Sequence, residues 1–162
     1  MYKHILLPTD GSALSRSAIE SGIRLAKAIG ARVTGLHVTA KITTTPLEGW
    51  ARGDARTRSR LKEIFAEQAR QYLAVIEAAA KQAGVPCECL CVTGESPSDE
   101  IVKTANDKRC DLIFMASHGK AGTFALLLGS ETAKVLIHSS IPVLVHRELA
   151  PAPTATRSRA GA

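Results

Sequence analysis

Between Asp111 and Arg147 lie the residues best spaced to do chemistry. An apolar run, Leu112-Ile113-Phe114-Met115, breaks into Ala116-Ser117-His118-Gly119, and after nine further residues Gly129-Ser130 opens a helical segment. That layout suits phosphate. Glycine lets main-chain N–H groups come close to a ligand, and the unpaired N–H groups of a helix start, helped by its dipole, favour an anion there. A second polar turn, Pro8-Thr9-Asp10-Gly11-Ser12, follows the first apolar run and offers turn and cap chemistry.

Other chemistries fit these residues less well. Neither G-x-x-x-x-G-K-S/T nor a G-x-G-x-x-G after the first strand occurs, and Gly119-Lys120-Ala121-Gly122 resembles a P-loop only superficially. His118 has the chemistry of a general acid, but no carboxylate is placed in sequence to orient it, and Ser117 lacks the G-x-S-x-G setting of a nucleophile elbow. No catalytic residue is therefore assigned. Cys87, Cys89 and Cys91 alternate along an expected strand, Cys110 stands apart, and zinc usually wants paired Cys-x-x-Cys knuckles. The cysteines read as small buried hydrophobes in a reducing cytosol. The histidines at 4, 37, 118, 138 and 146 are scattered, and no metal site is assigned.

The elements that must position these groups follow a βαβα grammar. Ile5-Leu6-Leu7, ended by Pro8, suits a strand buried on both faces of a parallel sheet. Leu14, Ala18, Leu25 and Ile29 recur at helical spacing up to Gly30, and Val33 to Val38 forms the second strand. A longer helix is expected from about Ser59 to Ala83, its inner face carrying Leu61, Ile64, Phe65, Tyr72, Leu73, Ile76, Ala80 and Ala83. The third strand spans Val85 to Thr93. Ser96-Pro97-Ser98-Asp99 then reads as a helix start with Ser96 as N-cap, ending near Asn106. Leu112 to Met115, a helix from Ser130 to about His138, and Pro142 to His146 complete the pattern. Five parallel strands joined by right-handed crossovers make a doubly wound, Rossmann-like α/β sheet. Ligands in such sheets sit beyond the carboxyl ends of the strands where strand order reverses, and if the first and fourth strands are neighbours, the Asp10 turn and the glycine loop share a crevice.

Composition bounds the rest. With 162 residues, 45% hydrophobic and 22% charged, the chain reads as one globular domain over residues 1–148 and a disordered Pro/Ala/Thr/Ser tail over 149–162. No leader-like h-region and no run of eighteen apolar residues is read, so a cytoplasmic protein without a membrane partner is expected. The net charge of +6 is concentrated at Arg52, Arg56, Arg58 and Arg60 and at tail residues Arg157 and Arg159, with few aromatics to stack on bases. A solvated basic loop is favoured over a nucleic-acid face. The connection from Ala40 to Arg58 is long and carries Trp50, read as a mobile loop anchored to the surface or to a partner, with a lid over the crevice as the alternative.

Two stretches together resemble the universal stress protein family: His4-Ile5-Leu6-Leu7-Pro8-Thr9-Asp10-Gly11-Ser12, and Met115 to Gly119, nine residues, Gly129-Ser130, then Ile141-Pro142-Val143-Leu144-Val145. The resemblance spans about residues 2 to 147. It implies strand order 3-2-1-4-5, a homodimer through the fifth strand, and, in one branch of the family, ATP bound by Gly-x-x-Gly, nine residues, Gly-Ser/Thr. Ala116 stands where that motif has its first glycine, which a negative φ would tolerate and a positive φ would strain.

Carried onto this sequence, the resemblance implies a nucleotide with Pro8, Thr9 and Asp10 on its adenosine side and Val38 beside the adenine. Met115, Ala116, His118 and Gly119 run along ribose and phosphates, and Gly129, Ser130, Glu131 and Thr132 lie at the phosphates. Physically, the N–H groups of Gly119, Gly129 and Ser130 and the Ser130 and Thr132 hydroxyls are donors, and Asp10 is an acceptor. Asp10 and Ser130 can equally act as helix N-caps. Glu131 reads as an outward first-turn acid, the alternatives being repulsion of a triphosphate or a share in binding Mg²⁺. Ile141, Val143 and Val145 are expected at the dimer seam or under the last helix. The expected function is an ATP-binding dimeric stress sensor acting on an unidentified protein partner. The alternatives are a nucleotide-free structural or chaperone-like dimer, or a slow ATPase or self-phosphorylating protein.

Overall fold

The computed structural model describes residues 1–41, 59–118 and 128–147, together with the backbone of 55–58. The expectations for Gly119, Lys120, Gly122, Trp50, Arg52 and the tail, and for the side chains of Arg56 and Arg58, lie outside what is described. In chain order the elements are β1 (His4–Pro8), α1 (Ala13–Ile29), β2 (Arg32–Ala40), α2 (Ala55–Ala83), β3 (Cys87–Gly94), α3 (Pro97–Asp107), β4 (Leu112–Ala116), α4 (Ser130–His138) and β5 (Val143–His146). The five strands form one sheet in the order β3-β2-β1-β4-β5, every neighbouring pair parallel. Strand order reverses between β1 and β4, so the ends of these two strands flank the switch point.

Apolar residues on both faces of the central strands hold the layers. Ile5, Leu7, Leu112 and Phe114 pack with Ala18, Ile19, Ile23, Leu73 and Ile76 of α1 and α2. Leu6, Ile113 and Met115 point the other way, into a core with Ile101, Ala105 and Val135 of α3 and α4. Each such aliphatic side chain contributes about 1.5–3 kcal/mol when fully removed from water.

The helices match their expected patterns with two shifts. Ser12 caps α1, accepting from Ser15 N at 3.1 Å, and Gly30 ends it in the left-handed conformation. The buried stripe is Ala18, Ile19, Gly22, Ile23 and Ala26, with Leu14, Leu25 and Ile29 at its borders. Gly22 lets the helix sit against Leu7, which a Cβ would approach to 2.5 Å, and this draws the stripe around to that side. Helix α2 starts at Ala55 rather than near Ser59, and its core contacts come from Ala69, Leu73, Ile76 and Ala80. Leu61 and Ile64, expected inside, are exposed. A 29-residue helix runs about 43 Å, longer than the about 30 Å of nine-residue β2, so its first turns pass beyond the sheet.

Strand β3 lies at a sheet edge, and this limits cysteine burial there. Cys87 and Cys89 are half-buried, Cys91 is exposed and only Cys110 is buried, against the expectation of four buried thiols. Ser96 caps α3 through Asp99 N at 3.4 Å, as the sequence predicts. Strand β5 is the other edge; Ile141 and Val143 pack against the α3/α4 core, while Leu144 is exposed. Among the described residues no helix is long and apolar enough to cross a membrane.

Candidate functional site

The turn after β1 is fixed by its own hydrogen bonds. Thr9 is buried, donates its N–H to Leu36 O at 2.8 Å, and its Oγ1 accepts from Gly11 N and meets Ser15 Oγ at 3.0 Å. Asp10 Oδ1 accepts from Ser12 N at 3.0 Å, closing the turn one step before the helix. Ser12, not Asp10, is therefore the N-cap of α1. Gly11 has φ 75°, and a Cβ there would meet the Tyr72 ring at 2.2 Å, so both conformation and space demand glycine.

The end of β4 is clamped by the start of α4. Gly129 N donates to Ser117 O at 2.8 Å, and the Thr132 hydroxyl donates to Ala116 O at 3.0 Å. A Cβ on Gly129 would lie 2.9 Å from His118 Cα, so glycine is what allows the two segments to touch. These contacts correct three assignments: the Gly129 N–H and the Thr132 hydroxyl are spent within the fold rather than offered to an anion, and Gly129 is the N-cap, with Ser130 at the first helical position. The N–H groups of Ser130, Glu131 and Thr132 remain as the helix start without intrahelical acceptors. Ser117 is buried, its Oγ 3.1 Å from His118 Nδ1, and its N–H donates to His146 O. Arg109 is the one described non-glycine residue with positive φ, so Ala116 takes an ordinary strand conformation without strain.

Glu131 does not point outward. Its Oε2 accepts from Ser98 N at 2.9 Å, in the first turn of α3, and its Oε1 accepts from Lys134 Nζ at 2.8 Å. Burial alone would push this carboxyl up, but the hydrogen bonds from Lys134 and from Ser98 outweigh it and hold the group below its ordinary value. Glu131 thus serves as the anion at the α3 N-terminus while tethering that helix to α4.

Between these two turns lies a cleft of about 490 Å³ at the carboxyl ends of the strands. Pro8, Thr9, Asp10, Val38, Met115, Ala116, His118, Gly129, Ser130, Glu131 and Thr132 all line it, and Gly119 falls outside the described residues. Leu36, Pro97, Ile101 and Ser15 also line it, beyond the residues expected from sequence. Leu36 was legible: it alternates with Val38 on one strand face. Pro97 and Ile101 reach the cleft only because the start of α3 packs beside that of α4, where Ser98 N meets Glu131, which no local signal reveals. One side is apolar, with Leu36, Val38, Ile101 and Met115, and the other is polar, with Asp10, Ser130 and the first amides of α4. Such a two-sided cleft accommodates a flat apolar group joined to an anion.

Residues 1–147 match the Universal stress protein family, and the chain belongs to that family. Universal stress protein YxiE of Bacillus subtilis is 34% identical over 152 residues, covering 91% of this chain and 100% of its own. The solved structure of protein MJ0577 from Methanocaldococcus jannaschii superposes with a TM-score of 0.73 at 32% identity, covering 93% of this chain and 99% of that one. A universal stress protein solved in complex with cAMP is 25% identical, with a TM-score of 0.60 and coverage of 90% of this chain and 97% of its own.

Proposed function

We propose that this chain binds an adenine nucleotide, ATP in the first instance, and uses occupancy of the cleft to bias a dimer or a partner surface. The observation that carries this reading is the pairing, in one cleft, of an apolar wall with the open amides of the α4 start. The base would lie against Leu36, Val38 and Met115, Asp10 would accept from the ribose or the base, and the phosphates would run toward Ser130 and the first amides of α4. The cAMP complex of a related family member supports an adenine ligand. Strain-free Ala116 removes one objection to phosphate approach.

Mg²⁺ is best regarded as part of the ligand. Both Glu131 oxygens are engaged, and among the described residues no group of three metal-binding side chains is assembled. A divalent ion would arrive on the phosphates, with no resident site needed. The dimer is proposed through β5, an edge whose neighbourhood exposes Leu136, Ile137 and Leu144, and where a second copy would satisfy the open backbone.

The test is a calorimetric titration of the nucleotide-free protein with ATP, AMP and adenosine, with and without Mg²⁺. Saturable binding of one nucleotide per subunit is the expected result. No binding of any of the three would overturn the reading and favour a nucleotide-free structural dimer, in which the Gly129–Ser117 and Thr132–Ala116 bonds serve the fold alone.

A further inference from the structure

The N-terminus of α4 is where the phosphates of the proposed ligand would lie, and the second residue of that helix places a carboxylate on the wall of the same cleft. Glu131 is held there from two sides, by Ser98 N of α3 at 2.9 Å and by Lys134 Nζ one turn along α4 at 2.8 Å. Its position is therefore set by the helix pair, and it cannot turn from the phosphates without giving up the bond to Ser98. The two partners differ in what they do to its charge. Ser98 N is a neutral donor, whereas Lys134 is a cation that is largely exposed and does not line the cleft.

We propose that Glu131 is a specificity-determining residue that makes the cleft discriminate by the charge of the phosphate chain, accepting few negative charges more readily than many. The inference rests on the nucleotide reading above. Each additional phosphate charge beside the first turn of α4 meets the fixed carboxylate in a partly desolvated setting, where repulsion is stronger than in bulk water. The Lys134 cation tempers this repulsion from the solvent side, where it is weakened by screening. An uncomplexed triphosphate is therefore penalised relative to a monophosphate, and neutralising the triphosphate by a divalent ion relieves part of the penalty.

A charge series tests this directly. Adenosine, AMP and ATP carry no, about two and about four negative charges near neutral pH, and their affinities are measured by calorimetry in EDTA on the full chain. Glu131→Gln keeps an acceptor for Ser98 N and removes the charge. It is expected to raise the ATP-to-adenosine affinity ratio about tenfold and the AMP-to-adenosine ratio less. Lys134→Gln is expected to lower the ATP-to-adenosine ratio by about threefold. Opposite signs from two neighbouring neutralisations are the signature, because loss of a merely structural tether would shift all three ligands together. Ratios that stay put, or that move in the same direction in both variants, would overturn the proposal. Binding of all three ligands with unmoved ratios defeats this inference and leaves the nucleotide reading intact; no binding by the unmodified protein defeats both.

Discussion

The two ends of the sheet are built from similar polar residues to opposite effect. At the amino end, His4 Nε2 lies 2.7 Å from Thr34 Oγ1, Thr34 donates to Glu88, and Glu88 takes Lys108 Nζ at 3.2 Å. The Asp111 carboxylate beside them accepts the N–H groups of Lys3 and His4 at 2.8 and 2.9 Å. All of these groups but His4 Nδ1 are consumed by one another. At the carboxyl end the turns use only some of their groups internally, leaving the amides of Ser130, Glu131 and Thr132 at a cleft. A polar cluster spent on itself holds strands in register; one with a remainder can hold a ligand. The comparison predicts that damage at one end should be separable from damage at the other.

The largest effect is expected from Gly129→Val. The new side chain must enter space where even a Cβ lies 2.9 Å from the His118 backbone, so the clamp between β4 and α4 is forced apart. We expect nucleotide affinity to fall by about a hundredfold, with a stability loss of about 1–3 kcal/mol, read by titration and denaturant unfolding. Unchanged affinity would mean that the cleft does not depend on this contact.

The amino end is broken by acid. Since Thr34 Oγ1 donates to Glu88, it accepts from His4 Nε2–H, and Nδ1 has no hydrogen-bond partner among the described residues. Burial, with Arg32 nearby, lowers the His4 pKa from its ordinary 6.5. Below pH 6.5 the unfolded chain then binds a proton that the folded chain refuses. The stability His4 contributes is fully present above that pH and is lost as pH falls toward the folded pKa, with a slope of at most about 1.4 kcal/mol per pH unit. His4→Gln should remove that slope from unfolding curves, whereas nucleotide affinity at neutral pH should be unaltered. A matching loss of affinity would show that the two ends are coupled.

The free edge of β5 can be damaged separately from either end of the sheet. Pro142 O accepts from Ile113 N of β4 and His146 O from Ser117 N just beyond it, so in parallel pairing the N–H groups of Val143 and Val145 face the free edge. Val145→Pro removes an edge donor without removing a bond to β4. It should weaken self-association about tenfold or more by light scattering, with little change in cleft binding per subunit. A protein that stays dimeric would place the seam elsewhere.

How much of this was legible in sequence depends on how far apart the partners lie. The doubly apolar runs at Ile5-Leu6-Leu7 and Leu112 to Met115, with Gly30 and Ser96 as helix stop and start, identified the sheet and its crossovers from local pattern alone. The start of α2 differs from the expectation because Asp54, Thr57 and Ser59 are all capping residue types, so local chemistry does not choose among them, and its inner face is overextended because sequence does not say where the sheet ends. In the cleft, most of the lining is legible, Pro97 and Ile101 excepted, but not the use of each group. Whether Gly129 N–H meets a ligand or Ser117 O is decided by the approach of segments that are distant in sequence. Glu131 and Ser98, 33 residues apart, meet only through the packing of α3 on α4.

The smallest expected effect tests the position where this chain departs from the family motif. Ala116 is mostly buried at the end of β4, in an ordinary strand conformation, with its carbonyl held by Thr132. Ala116→Gly restores the motif residue but supplies a freedom the backbone does not use there. It also adds conformational entropy to the unfolded chain, costing about 0.5–1 kcal/mol by thermal unfolding. Nucleotide affinity should change by less than about threefold, because the methyl group lines the cleft without forcing its backbone. A tenfold gain would instead mean that the methyl stands where a phosphate or ribose must pass. The departure at Ala116 would then set affinity by bulk, as Glu131 would set it by charge.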